Sequence, residues 1–170
     1  MKITIADYSP AWPSLFAEEK RLLEGVLGKD AALIEHVGST SVAGLAAKPI
    51  IDIMVGLHDF SVADNLVSKI IGLGYEYIPK YEDVMPYRRF FVRRIDGAAT
   101  HQIHMVGVGG EFWERHLLFR DFLRANPARA SEYAALKRSL AELEWQDTNE
   151  YADAKTAFIR AVESEARKQS

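Results

Sequence analysis

Ile34-Glu35-His36-Val37-Gly38-Ser39-Thr40-Ser41-Val42-Ala43-Gly44-Leu45-Ala46-Ala47-Lys48-Pro49-Ile50-Ile51-Asp52-Ile53-Met54-Val55 reads as strand, loop, strand. The first strand is the short apolar-rich run from Ala32 to Val37. The second opens after Pro49, and its nearly continuous apolar character predicts a strand covered on both faces. Between them, Gly38 to Lys48 is rich in small residues and lacks the bulk of a core element, so it predicts a loop with at most one helical turn. Asp52 is the anomaly in this pattern. An unpaired carboxylate in apolar surroundings is costly, so a cation, a metal or hydrogen-bond donors must meet it. Two readings stay open: a structural ion pair with Lys48 or an arginine of Tyr87-Arg88-Arg89, or a metal or substrate ligand at the strand's mouth.

The loop carries a second signal. Gly38-Ser39-Thr40-Ser41 lets main-chain amides approach an anion closely, and its hydroxyls can donate as well, so a phosphate fits there. A tight turn that merely needs small residues gives the same sequence.

Working outward, Ser9-Pro10 caps a helix whose apolar set is Trp12, Leu15, Phe16, Leu22, Leu23, Val26 and Leu27, closed by Gly28. A second helix is predicted from about 61 to 71, then a short strand at 75–78. Strands at 87–95 and 100–106 flank Asp96-Gly97, a hairpin signal. The rest is helical, about 111–125, 128–144 and 150–167, with Pro127 separating the first two. Phe112, Trp113, Phe119 and Phe122 are spaced as a core face. This order predicts an α+β fold: a mixed β-sheet flanked by helices, with a strand-rich core at about 30–107 and a C-terminal helical tail at about 111–167, all in one domain over 1–170.

On the strand at 100–106, His104 shares a face with Gln102, while His101 shares the other with Ile103 and Met105. The two imidazoles therefore cannot meet one ion on a regular strand. Of Glu35 and His36, one faces the loop and Asp52 and the other faces away. Arg88, Arg89, Arg93 and Arg94 can bind phosphate or partner acids. Gly107-Val108-Gly109-Gly110 lacks the spacing of a dinucleotide fingerprint and follows a late strand, so it carries no such reading.

The composition excludes several classes. With 170 residues, 48% hydrophobic and 26% charged, the chain can close a core, and disorder is ruled out as the main state. The formal net charge is −3, so no extended nucleic-acid footprint is expected. No cysteine is present, which removes disulfides, thiolate metal sites and a cysteine nucleophile. No signal peptide or apolar span of membrane length is read, and the expected location is the cytoplasm.

Together the stretch from Ile34 to Ile53, the stretch from Phe119 to Pro127, the Tyr133, Leu136-Lys137, Tyr151, Lys155, Phe158-Ile159 pattern and the opening Asp7-Tyr8-Ser9-Pro10-Ala11-Trp12-Pro13 resemble the GrpB family, a branch of the nucleotidyltransferase superfamily. Ser41 and Ala43 stand where that pattern has alanine and proline. The resemblance implies a site in which Gly38, Ser39, Thr40 and Ser41, with Lys48 and Arg89, hold the phosphates of a nucleotide or other phosphorylated small molecule. It implies Asp52 and His104 as catalytic residues, and Asp52 with Glu35 as ligands for Mg²⁺ or Mn²⁺. An active member of the superfamily carries a second acid two residues after the first, where this chain has Met54, and a third on a neighbouring strand, where it has Gln102 and His104. The implied activity is nucleotidyl transfer. The alternative is a catalytically silent ligand-binding or accessory domain linked to CoA metabolism, because GrpB-like segments resemble a domain fused to dephospho-CoA kinase in some bacteria.

Overall fold

The computed structural model describes residues 1–169. Helix α1 (Ala11–Leu27) buries Trp12, Leu23 and Leu27. Strand β1 (Ala31–Val37) leads into a single 3-10 turn, Ser39–Ser41, and the rest of the loop returns as β2 (Ile51–Leu57). Helix α2 (Ala63–Ile71), the two-residue strand β3 (Glu76–Tyr77), β4 (Arg88–Ile95) and β5 (Ala98–Gly107) follow. The chain ends in four helices, α3 (Glu111–Ala125), α4 (Pro127–Ala141), α5 (Thr148–Ala154) and α6 (Thr156–Gln169).

The strands form one mixed sheet in the order β1-β2-β5-β4-β3. Only β2 and β5 run parallel; the other neighbours are antiparallel. Asp96 and Gly97 form the tight turn between β4 and β5, both with positive φ, which matches the right-handed twist of the flanking strands. The α+β class, the mixed sheet and the helical tail are as the sequence predicts.

Each face of the sheet is covered, which explains why β2 is apolar nearly throughout. Ile51, Ile53, Val55 and Leu57 pack with Leu23 and Leu27 of α1 and Leu66 and Ile70 of α2. On the opposite face Val37, Met54 and Val106 pack under Phe112 and Trp113 of α3. A separate cluster ties the loop to the tail: Val42 and Leu45 meet Phe122, Leu123, Tyr133 and Val162.

Two stretches of the tail differ from the sequence reading. Helix α4 stops at Ala141 because the chain turns to clasp the N-terminus: the Trp145 amide donates to the Met1 carbonyl (3.1 Å) and the Met1 ammonium donates to the Trp145 carbonyl (2.6 Å). The helix expected over 150–167 is two helices. Asp147 caps the first through the Glu150 amide (2.9 Å), and the break falls at Lys155, whose amide closes a tight turn on the Ala152 carbonyl (3.1 Å). Among the described residues no helix is long and apolar enough to cross a membrane.

Candidate functional site

The β1–β2 and β2–β5 registers pair Asp52 with Val37 and with Gln102, and Met54 with Glu35 and with His104. All six residues therefore share the face turned toward the tail. At its edge Gly38 takes φ 71° and ψ −177°, a region open essentially to glycine alone. A Cβ there would lie 2.6 Å from Asp52 Oδ2. The absent side chain is what lets the turn close onto the carboxylate.

Above this edge lies a hollow of about 180 Å³, lined by Ser39, Thr40, Lys48, Asp52, Gln102, Lys137, Tyr151 and Lys155, among others. The three lysines come from three elements: the loop before β2, helix α4 and the break between α5 and α6. Among the described residues none of the three forms an ion pair. Lys137 is only 2% exposed and gives one N–H to the Ala46 carbonyl (2.7 Å). Burial, and the nearby positive charges of Lys155 and Arg138, bring its pKa down to about 7. Burial and Lys48 bring Lys155 down to about 8, against the pull of Asp52. Burial lowers Lys48 as well, again opposed by Asp52. Tyr151 supplies the one buried side-chain polar atom among the described residues with no hydrogen-bond partner, its hydroxyl. Such orphans are rare in folded proteins and ask for a partner.

The hollow opens onto a larger cleft of about 760 Å³, with which it shares Lys48, Ile50, Gln102, Thr148 and Ala152. Tyr81, Phe90, Arg88 and His104 line the cleft. Here a chain of side chains leads back to Asp52. The Arg88 guanidinium lies 3.1 Å from His104 Nδ1, and His104 Nε2 lies 3.3 Å from Asp52 Oδ1. Arginine only donates, so Nδ1 must accept and the ring proton sits on Nε2, facing Asp52. A histidine with both nitrogens so engaged orients Asp52 and has no free lone pair with which to take a proton from a substrate.

The other expected site residues divide. Glu35 is on the Asp52 face but its Oε2 is held by Arg120 Nη1 at 2.8 Å, outside the hollow. Arg89 lies on the opposite face, bonded to Asp64 (2.8 Å) and to the Pro86 carbonyl (2.9 Å), because strand alternation points it away. The Ser41 hydroxyl closes the turn on the Gly38 carbonyl. Thr40 lines the hollow, yet its hydroxyl is spent on the Ile50 carbonyl (3.1 Å) and on His36 Nε2 (2.9 Å). His36 stacks on Phe16 under the sheet, and burial holds its pKa down at about 4. His101 also faces away, toward Tyr75. Ser39 remains at the hollow, bonded to the buried Tyr133 hydroxyl.

Arg120 is thus a strut. Besides Glu35 it holds the His36 carbonyl (3.1 Å) and Asp121 (2.9 Å), tying α3 to β1. Arg120→Lys keeps the charge but loses the planar fork. Urea unfolding is expected to register a loss of about 2 kcal/mol; a loss below about 0.5 kcal/mol, the scatter of an ordinary surface change, contradicts the strut.

The metal that the sequence resemblance implies provides a test of the donor set. Mg²⁺ wants near-octahedral oxygen ligands. Asp52 is the only carboxylate of the hollow, Glu35 is taken by Arg120, and Met54 fills the second acid position under Phe112 and Trp113. Among the described residues no group of three His, Asp or Glu side chains could hold an ion. With three ammonium groups in the same wall, these residues do not fit a divalent cation.

Lys137, Lys155 and Tyr151 were not among the site residues read from the sequence. Their signal was present: two lysines and a tyrosine punctuate the apolar pattern of the tail, and Lys137 falls one residue after Leu136, where a solvated lysine and a buried one look alike.

The GrpB protein family's sequence profile matches residues 2–165. A UPF0157 protein of Halalkalibacterium halodurans is 39% identical over 161 residues, covering 94% of this chain and 80% of that protein. The UPF0157 protein YqkA of Bacillus subtilis is 38% identical over 167 residues; the match takes in 98% of this chain but 48% of YqkA, so the chain spans about half of that relative. A dephospho-CoA kinase of Mycolicibacterium paratuberculosis is 30% identical over 176 residues, covering 89% of this chain and 42% of that protein. Among solved structures, the conserved protein GrpB from Enterococcus faecalis has a TM-score of 0.86 at 38% identity, covering 98% of each chain. The Cid1 poly(U) polymerase has a TM-score of 0.52 at 15% identity over 81% of this chain and 44% of that one, a likeness of fold alone. The architecture is of the nucleotidyltransferase type, and the chain belongs to the GrpB family.

Proposed function

We propose that this protein binds a phosphorylated small molecule of the nucleotide class, with its phosphates in the hollow and its organic body in the adjoining cleft. One observation carries the reading: three lysines from separate elements converge on a hollow that offers them a single carboxylate, beside a buried tyrosine hydroxyl with no partner. Gathering like charges is unfavourable unless an anion joins them. The size agrees. The hollow alone, about 180 Å³, is below the usual range for a whole ligand, whereas the cleft of about 760 Å³ lies within it. Tyr81 and Phe90 give the cleft aromatic surface for a flat ring.

Nucleotidyl transfer is the weaker reading. It needs a path for the acceptor's proton and stabilisation of charge on the transferring phosphorus. The lysines can meet the phosphoryl charge, but Asp52 is the one carboxylate of the hollow left to take the proton, since His104 is tied to Arg88. Binding without turnover suits the residues better. The match to a dephospho-CoA kinase puts phosphorylated CoA precursors among the candidate ligands, and a cytoplasmic location belongs to the same proposal.

Calorimetric titration with nucleoside mono-, di- and triphosphates, dephospho-CoA and inorganic pyrophosphate tests it. At least one compound is expected to bind, and Lys155→Gln to weaken it about tenfold or more. Affinity for nucleotides is also expected to fall as pH rises from 7 to 9, since Lys137 and Lys155 lose protons across that window while a terminal phosphate, with its second pKa of about 6, gains little charge. Failure of the whole panel to bind overturns the proposal.

A further inference from the structure

We infer that Lys48, Lys137 and Lys155 hold the ligand's phosphates directly, in the place where the nucleotidyltransferase fold uses metal-bearing acids, so that binding proceeds without a divalent cation. The inference rests on the reading that the hollow receives phosphates, and it specifies how they are held. The acids that would carry a metal are replaced or diverted one by one. Met54 stands two residues after Asp52 and is fully buried; Gln102 is the register partner of Asp52 on β5; Glu35 is locked to Arg120.

The cations arrive independently. Lys48 precedes β2, Lys137 is carried by α4, and Lys155 stands where the tail helix breaks into two. Without that break, the segment would run on as one helix. Each ammonium can give up to three hydrogen bonds, and Lys137 spends one of them, on Ala46. Tyr151 lines the same hollow, and its hydroxyl is buried without a partner. A divalent ion placed among these groups would be repelled by three like charges and attracted by one carboxylate. A phosphate carrying roughly two negative charges meets the opposite balance.

Asp52 acquires a different role in this arrangement. Its charge favours the protonated forms of Lys48 and Lys155, opposing the burial that would strip them of protons. It is a counter-ion that carries the charged state of Lys48 and Lys155 to higher pH, held in place by Arg88 through His104.

The two mechanisms respond oppositely to the same measurements. Inorganic pyrophosphate is titrated into the full chain at pH 6.5, once with EDTA and once with millimolar MgCl₂ or MnCl₂. Direct holding predicts equal or tighter binding in EDTA and weaker binding with the metals, which complex the free anion. It predicts that Lys155→Gln loses about tenfold or more in EDTA. It also predicts that Asp52→Asn retains or tightens the binding, since a negative charge leaves the hollow at a pH where the lysines stay protonated. Binding that appears only with metal, or that Asp52→Asn abolishes, overturns direct holding while leaving the phosphate reading intact. Pyrophosphate that binds in neither buffer overturns direct holding, and if nucleotides and dephospho-CoA fail as well, the phosphate reading goes with it.

Discussion

Gly38→Ala is expected to lower the unfolding free energy by about 2–6 kcal/mol. Two costs combine. The backbone of Gly38 sits at φ 71° and ψ −177°, where an L side chain is strained by about 1–3 kcal/mol. The new methyl would also lie 2.6 Å from Asp52 Oδ2 and 3.1 Å from its Cβ, so the carboxylate must leave its position; overpacking of this kind costs about 1–3 kcal/mol more. Gly44→Ala separates the two. Gly44 also has positive φ, 81°, but nothing lies within 4 Å of its Cβ position, so it is expected to lose only about 1–2 kcal/mol. A double-mutant cycle isolates the contact. Asp52→Ala removes the oxygens that the methyl meets, and the pair is expected to couple by about 1–3 kcal/mol, with the double variant less damaged than the sum. Additive behaviour in urea unfolding would mean that Gly38 is required for its backbone alone.

That contact shows what the sequence could and could not disclose. Gly38, Asp52 and the apolar run around Asp52 were legible, because a carboxylate inside β2 breaks an otherwise continuous pattern. The alternation of β5 was legible too, and it put His101 and His104 on opposite faces; that His104 is the one on the face of Asp52 comes from the β2–β5 register. Arg89 was not: the same alternation applies to β4, but which face of that strand meets the hollow depends on its pairing with β5, which is a property of the sheet and not of the segment. Glu35 lies on the Asp52 face, as its implied role of metal ligand needs, and still left the site, because Arg120 reaches it from α3, 85 positions along the chain. Lys48 was read as a phosphate ligand, whereas Lys137 and Lys155 were missed for a related reason. Lysine on a helix is ordinarily solvated, and burial of Lys137 is decided by how α4 packs over the loop, beneath Tyr133 and against the Ala46 carbonyl. Long-range partners of this sort leave no local periodicity to read.

Lys137→Met is expected to stabilise the protein at pH 6 by about 1–3 kcal/mol while it removes most of the affinity for phosphate. The stability sign follows from the proton balance. Lys137 has a pKa of about 7 in the folded chain and about 10.5 when unfolded, so between those values the unfolded chain holds the extra proton. Stability then rises with pH at up to about 1.4 kcal/mol per pH unit for this one group. Below pH 7 the lysine is charged in both states, and the cost of burying that charge is borne in full. Methionine has similar length and no charge, so the cost disappears, offset in part by the Ala46 carbonyl left without its donor, about 1–3 kcal/mol. The difference in stability between the variant and the parent should therefore be largest near pH 6 and shrink on the order of 2 kcal/mol between pH 7 and 9. Measuring the difference cancels the other groups that titrate in that window, apart from Lys155, whose charge helps to hold the Lys137 pKa down. Denaturant unfolding of both chains at several pH values reads the first effect, and pyrophosphate titration at pH 6.5 reads the second. A residue kept for packing alone would lose stability on replacement and leave anion affinity untouched. A variant that gains stability and loses its ligand marks Lys137 as a charge buried at the expense of the fold because the hollow's occupant requires it.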